Sequence, residues 1–194
     1  MEFELGHLYH IYNQGNNRRK IFYNRKNYLF FLKKLNTHIL PYADIVAWCL
    51  MPNHFHLMVR VNKLDIKDQE GRVLKSTTFN KSIGIMLASY TRAINKEKKM
   101  SGSLFRSKTK AECLSCNQGI SPSYIISEGV TSFINLDPKK QYPQVCFEYI
   151  HQNPVKARLV KDATDWEFSS AIDYAGLRNG KLANKKLAQE ILIL

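Results

Sequence analysis

Residues 44–61 read DIVAWCLMPNHFHLMVRV. The first eight are almost continuously apolar, as in a central strand buried on both faces. The Met-Pro-Asn step at 51–53 makes a tight turn. From 54 the pattern alternates: Phe55, Leu57, Val59 and Val61 fall on one face of a strand, and His54, His56, Met58 and Arg60 on the other. Two strands joined by a short turn read as an antiparallel hairpin with one polar strip.

The flanking segments extend this hairpin into a fold. Residues 7–14, HLYHIYNQ, are aromatic and β-branched and read as a strand, followed by a basic loop at 17–20. Residues 26–39 place Leu29, Leu32 and Leu35 on one side of an amphipathic helix that ends near Pro41. Residues 62–77 are polar and read as a loop. A second helix is expected over 79–98, with Ile83, Met86, Leu87, Tyr90 and Ile94 as its apolar stripe. Residues 103–112 read as a basic strand, and 114–141, rich in Ser, Gly and Pro, as an insertion or flexible loop. A short helix over 144–152 and a further turn or helix at NPVKARLV follow. Strand, helix, strand, strand, helix, strand is the order of a split βαβ, ferredoxin-like α+β fold: an antiparallel sheet with two helices on one face. The other face is then available to a site. Residues 1–160 are expected to form that domain, and 161–194 a C-terminal extension packed on it or flanking it.

Composition narrows the partners. Lys and Arg number 29 against 16 Asp and Glu, a formal net charge of +13. A polyanion is the expected partner, nucleic acid being the commonest, and a basic solvated surface is the plain alternative. The beginning of the chain lacks an apolar signal region and no run approaches a membrane-spanning length, so a cytoplasmic protein is expected. Of Cys49, Cys113, Cys116 and Cys146, three are not spaced as a disulfide framework, and the cysteines read as reduced thiols; Cys113 and Cys116 form a lone C-x-x-C, a weak zinc signal.

The chemistry centres on the polar strip. Two imidazoles two residues apart leave the same face of a strand, and together can hold one divalent cation. The competing reading is a pair of histidines that tile a half-exposed sheet. A chain of 194 residues is short for the barrel folds that also use H-x-H. Downstream, residues 148–156 read EYIHQNPVK. If helical, Tyr149 and Asn153 stand four apart on one face, so a phenol nucleophile and an amide ligand point to the same place. Tyr149 is equally open to a packing role. Asn153 before Pro154 also fits a helix N-cap and first position, and the residue before proline is pushed away from helical geometry. His151 and Gln152 lie off that face, and His10, in the first strand, suits sheet packing or a DNA contact. Arg18, Arg19, Lys20, Arg92, Lys96, Lys98, Lys99, Arg106, Lys108 and Lys110, interleaved with Tyr9, Tyr12, Tyr23 and Phe105, suit phosphate contacts with base stacking.

WCLMPNHFHLMVRV at 48–61 followed by YIHQNPVKARLV at 149–160 resembles the single-tyrosine HUH transposases, in particular the REP-associated tyrosine transposases. YHIYNQGNNRRKIF at 9–22, GSLFRSKTK at 102–110 and DWEFSSAIDYAG at 165–176 are similar to that group too, so the resemblance spans most of 7–176 in family order. It implies a ferredoxin-like sheet with the tyrosine helix near the face opposite the other helices. It also implies His54 and His56 as metal ligands, Asn153 as a third, Tyr149 as the nucleophile and Mg or Mn as the metal. The implied activity is cleavage and rejoining of single-stranded DNA, beside a hairpin, through a 5′-phosphotyrosine bond that leaves a free 3′-OH. A monomer is favoured over a homodimer. The long segment 114–141 and the loop 62–77 depart from the group's pattern. Two other functions remain: a hairpin-binding DNA or RNA protein that no longer cuts, and a metal-dependent nuclease that uses water.

Overall fold

A computed structural model describes residues 2–67, 73–115, 124–127, 130–133 and 138–193. The chain runs β1 (Leu8–Gln14), α1 (Arg25–His38), β2 (Ala43–Met51), β3 (His54–Val61), β4 (Asp65–Lys67), β5 (Val73–Thr78), α2 (Phe79–Lys98), β6 (Lys110–Cys113), β7 (Tyr124–Ser127), β8 (Val130–Phe133), α3 (Pro138–Lys156), α4 (Ala171–Tyr174) and α5 (Lys185–Ile191). Strands β2, β3, β1 and β6 form one antiparallel sheet in that order. This is the expected ferredoxin-like arrangement: β1 and β2 run parallel with β3 between them.

Each face of the sheet carries its own core. Ile11, Ile45, Phe55, Leu57 and Val59 pack against Phe31 and Leu35 of α1 and Ile83, Met86 and Tyr90 of α2. On the reverse, Val46, Cys49, Met51 and Met58 meet Cys146, Phe147 and Ile150 of α3 and Leu187 and Ala188 of α5. The unbroken apolar run of β2 serves both cores. Asn24 caps α1 by accepting from the Asn27 amide, and Thr78 caps α2 by accepting from that of Lys81.

Several segments depart from the sequence reading. The buried stripe of α1 is Tyr28, Phe31 and Leu35, while Leu29 is exposed, because the larger aromatic faces win the core. The segment read as a loop at 62–77 carries the β4–β5 pair. The strand expected over 103–112 is confined to Lys110–Cys113. Leu104 and Phe105 are consecutive yet both enter the same core, which a strand with side chains on alternate faces does not allow. Of 114–141, the β7–β8 hairpin and the start of α3 are described; the remainder of that expectation lies outside the described residues. Helix α3 runs through Pro154, so Asn153 is not its N-cap: the Ala157 amide donates to the Asn153 carbonyl and Arg158 ends the helix in the left-handed region. Pro154 has no N–H to give to the Ile150 carbonyl, a loss confined to the last turn because the helix ends at Lys156.

The segment after α3 closes the outer edge of β2. The Leu50 amide donates to the Phe168 carbonyl, that of Ser170 to Trp48, and that of Asn184 to Ile45. A free strand edge is thereby covered. Cys49 and Cys146 are buried free thiols. Cys113 is disulfide-bonded, which corrects the reading of all four cysteines as reduced, since spacing along the chain does not report which sulfurs a fold brings together. Among the described residues no helix is long and apolar enough to cross a membrane.

Candidate active site

The turn at 51–53 ends where β3 begins, so His54 and His56 emerge at one end of the sheet, on the face covered by α3. Across the β1–β3 ladder His56 stands opposite Tyr12 and His54 opposite Gln14. The His56 ring lies 4.9 Å from that of His54 and 5.0 Å from that of His10, centroid to centroid. His10 Nε2 and His56 Nδ1 are 2.8 Å apart, a hydrogen bond between two buried imidazoles. The remaining nitrogen of His56, Nε2, is buried and has no hydrogen-bond partner. A buried polar atom left unpaired is costly unless something else satisfies it.

His54 is held from the side. Its Nδ1 lies 2.6 Å from Asn53 Oδ1, an oxygen that can only accept, so the proton sits on Nδ1 and the lone pair on Nε2. Burial holds the pKa of all three rings down. That of His10 is pushed to about 4 against the pull of Glu112, and that of His56 falls well below its ordinary value, helped by His10 and His54. That of His54 is lowered by burial, opposed by a hydrogen bond with Asn153. All three are therefore neutral at pH 7, the form in which imidazole binds metals.

Helix α3 brings the second half of the site. Its inner side is fixed by Phe147 and Ile150 in the second core and by His151, whose Nε2 lies 2.7 Å from Ser170 Oγ. One step round the helix Tyr149 is 40% exposed, with its ring 5.4 Å from that of His56 and edge-on to it. Asn153, one turn further, donates from Nδ2 to the Tyr149 carbonyl at 2.9 Å, and its side chain is near enough to His54 to influence the pKa of that ring. The three residues expected at the metal and the expected nucleophile thus meet in one place.

His54, His56 and Tyr149 open into a cleft of about 370 Å³ that is also lined by Tyr12, Arg106, Lys108 and Lys110. Tyr12 donates its hydroxyl to Glu112 at 2.6 Å, and burial together with that carboxylate pushes its pKa upward. Among the described residues the Tyr149 hydroxyl makes no hydrogen bond, so of the two phenols in the cleft it is the one free to react. Arg18 and Lys20 line an adjoining groove of about 780 Å³ that shares His54 with the cleft.

Other expected contacts lie elsewhere. The Arg19 guanidinium donates to the Ser103 carbonyl and ties two loops together. Arg92 and Lys96 are exposed on α2, against the opposite face of the sheet. The role of His10, set behind His56, was not evident from spacing; the register of two paired strands, which sequence does not print, is what places it. Among the described residues no group of three or more His, Cys, Asp and Glu side chains is arranged to hold a metal. Any cation here must draw on two imidazoles and a neutral amide. The unpaired Nε2 of His56, the outward lone pair of His54 and the neighbouring Asn153 amide fit that requirement.

No family model and no curated protein sequence matches the chain. Among solved structures it is similar to one described as a REP-associated tyrosine transposase bound to a REP hairpin. The TM-score is 0.57 at 16% identity, over 91% of this chain and 83% of that one. The likeness establishes a shared fold across nearly the whole length.

Proposed function

We propose that the chain is a metal-dependent strand transferase that cuts and rejoins single-stranded DNA beside a hairpin through Tyr149. The observation that carries this reading is the exposed, unbonded Tyr149 phenol set against two neutral imidazoles, in a cleft rimmed by Arg106, Lys108 and Lys110. The fold shared with a transposase solved on a REP hairpin supports the substrate class.

His54 and His56 through Nε2, with the Asn153 amide oxygen, would hold Mg or Mn, which when bound polarises the scissile phosphate and offsets charge gained in the transition state. The remaining work belongs to the chain. His10 fixes the His56 ring and its tautomer from behind. Arg106, Lys108 and Lys110 draw the phosphate backbone into the cleft. Tyr149 Oη attacks phosphorus, its O–P bond replaces the bond to the 3′ oxygen, and the proton lost by the phenol balances the one that oxygen gains. The phosphotyrosine conserves the phosphodiester energy, so a second 3′-OH can reverse the step without ATP. The polar face of α3 is complete within one chain, which favours a monomer working in cis.

The test is a labelled hairpin oligonucleotide with a single-stranded flank, incubated with protein and Mn or Mg and resolved on a denaturing gel. The expected result is a metal-dependent protein–DNA adduct that is absent in Tyr149→Phe and lost in His56→Ala. Binding without adduct would indicate a hairpin-binding protein. Free cut product made equally well by Tyr149→Phe would indicate a water-using nuclease.

A further inference from the structure

Helix α3 carries one more residue beside Tyr149. Tyr149, Asn153 and Lys156 stand at i, i+4 and i+7 and share one stripe of the helix. A lysine in a helix leans back toward the N-terminus, over the turn before it. The ammonium Nζ of Lys156 accordingly lies 5.3 Å from the centroid of the Tyr149 ring. A cation on the face of an aromatic ring is attracted by it, and the contact also fixes the ring's orientation.

Its surroundings leave this charge available. Among the described residues no carboxylate pairs with Lys156. The cations that line the cleft, Arg106, Lys108 and Lys110, come from the segment leading into β6 and from β6 itself. Lys156 stands instead on the helix of the nucleophile, over the Tyr149 ring. A phosphate bonded to Tyr149 Oη would sit at the rim of the ring that Lys156 already covers.

Resting on the transferase reading, we propose that Lys156 is a catalytic residue that clamps the scissile phosphate. Its ammonium moves from the ring face to a non-bridging phosphate oxygen as the DNA enters and holds that oxygen through the transfer. Lys156 stays protonated throughout. The only bonds exchanged are the Tyr149 O–P bond formed and the 3′ O–P bond broken, so the step balances without a further reactant.

The experiment uses hairpin oligonucleotides that each carry one neutral methylphosphonate at a different linkage of the single-stranded flank. Binding is measured without divalent metal, for wild type, Lys156→Met and Lys156→Arg. At one linkage, removing the charge should weaken wild-type binding about fivefold and leave Lys156→Met binding unchanged, with the coupling retained in Lys156→Arg. With unmodified DNA, Mn and saturating protein, Lys156→Met should form the adduct about 10- to 100-fold more slowly, beyond its about fivefold loss of hairpin affinity, and Lys156→Arg should recover most of the rate. Losses that add at every linkage overturn the proposal. So does an adduct rate in Lys156→Met equal to wild type, whatever the binding shows. Coupling at a linkage where wild type forms no adduct would reduce Lys156 to a DNA-gripping cation and count separately against the transferase reading.

Discussion

At the scale of single residues, the unpaired Nε2 of His56 organises the account, and His10 is the residue that makes it available. A ligating imidazole usually donates its second nitrogen to a neighbour that fixes its tautomer, and losing that neighbour costs about 10- to 100-fold in metal affinity. His10→Phe keeps a flat ring between the strands but removes the acceptor. It is expected to weaken Mn binding by that factor, read by calorimetry, with little change in hairpin affinity. Unchanged Mn affinity would remove His10 from the site. The two-residue spacing announced that His54 and His56 share a face. It could not announce His10, because its position depends on how β1 and β3 register across 46 residues of chain.

At the scale of elements, α3 is divided between two tasks. Phe147, Ile150 and His151 anchor it, and Tyr149, Asn153 and Lys156 share another stripe, with Tyr149 lining the cleft. The anchor runs through Ser170, whose Oγ lies near His151 Nε2, accepts from the Trp48 amide at 2.9 Å and donates to the Trp48 carbonyl at 3.2 Å. Ser170→Ala strands the Trp48 amide and His151 Nε2, while the Trp48 carbonyl keeps the Ser170 amide, and should cost about 1–3 kcal/mol of stability, read from urea unfolding. A loss below about 0.5 kcal/mol would mean that α3 is anchored by packing alone. Much of this scale was readable in advance. The periods of α2 and β3 fixed their bounds, and the split βαβ order followed from them. The helix through Asn153 and Pro154 was not, since an Asn-Pro step serves equally as a cap or as an interior last turn, and tertiary packing decides. The β4–β5 pair escaped for a similar reason: a polar two-stranded ribbon has no apolar face to advertise it.

At the scale of the whole molecule, charge and burial set measurable behaviour. A net charge of +13 with three cations in the cleft implies strong salt dependence of DNA binding. Replacing Arg106, Lys108 and Lys110 together by Ala should reduce the slope of log affinity against log salt by about 2 for single-stranded DNA. Replacing Arg92 and Lys96, on the opposite face, should leave that slope nearly unchanged; equal effects from both sets would place the DNA elsewhere. Stability should also fall in alkali. Burial pushes the Cys146 thiol up to about 12 from an ordinary value near 9. The unfolded chain therefore loses that proton first as pH rises, so the contribution is complete below pH 9 and is lost between about 9 and 12. Between pH 8 and 10 the urea midpoint of wild type should drop more than that of Cys146→Ala, and parallel drops would contradict the assignment. Net charge pointed to a polyanionic partner from composition alone. Which cations border the two openings was legible only in part: Arg18, Lys20, Arg106, Lys108 and Lys110 do, while Arg19 is consumed by a loop contact.

The central claim is that Tyr149 joins covalently to DNA, and the most direct measurement is mass spectrometry of the peptide that carries the adduct. Wild-type protein, Mn and a hairpin with its single-stranded flank would be incubated, digested with protease and nuclease, and sequenced. The expected result is a residual 5′-nucleotide on Tyr149 and on no other tyrosine. Modification of Tyr12, or an unmodified Tyr149 under conditions where the DNA is cut, would contradict it.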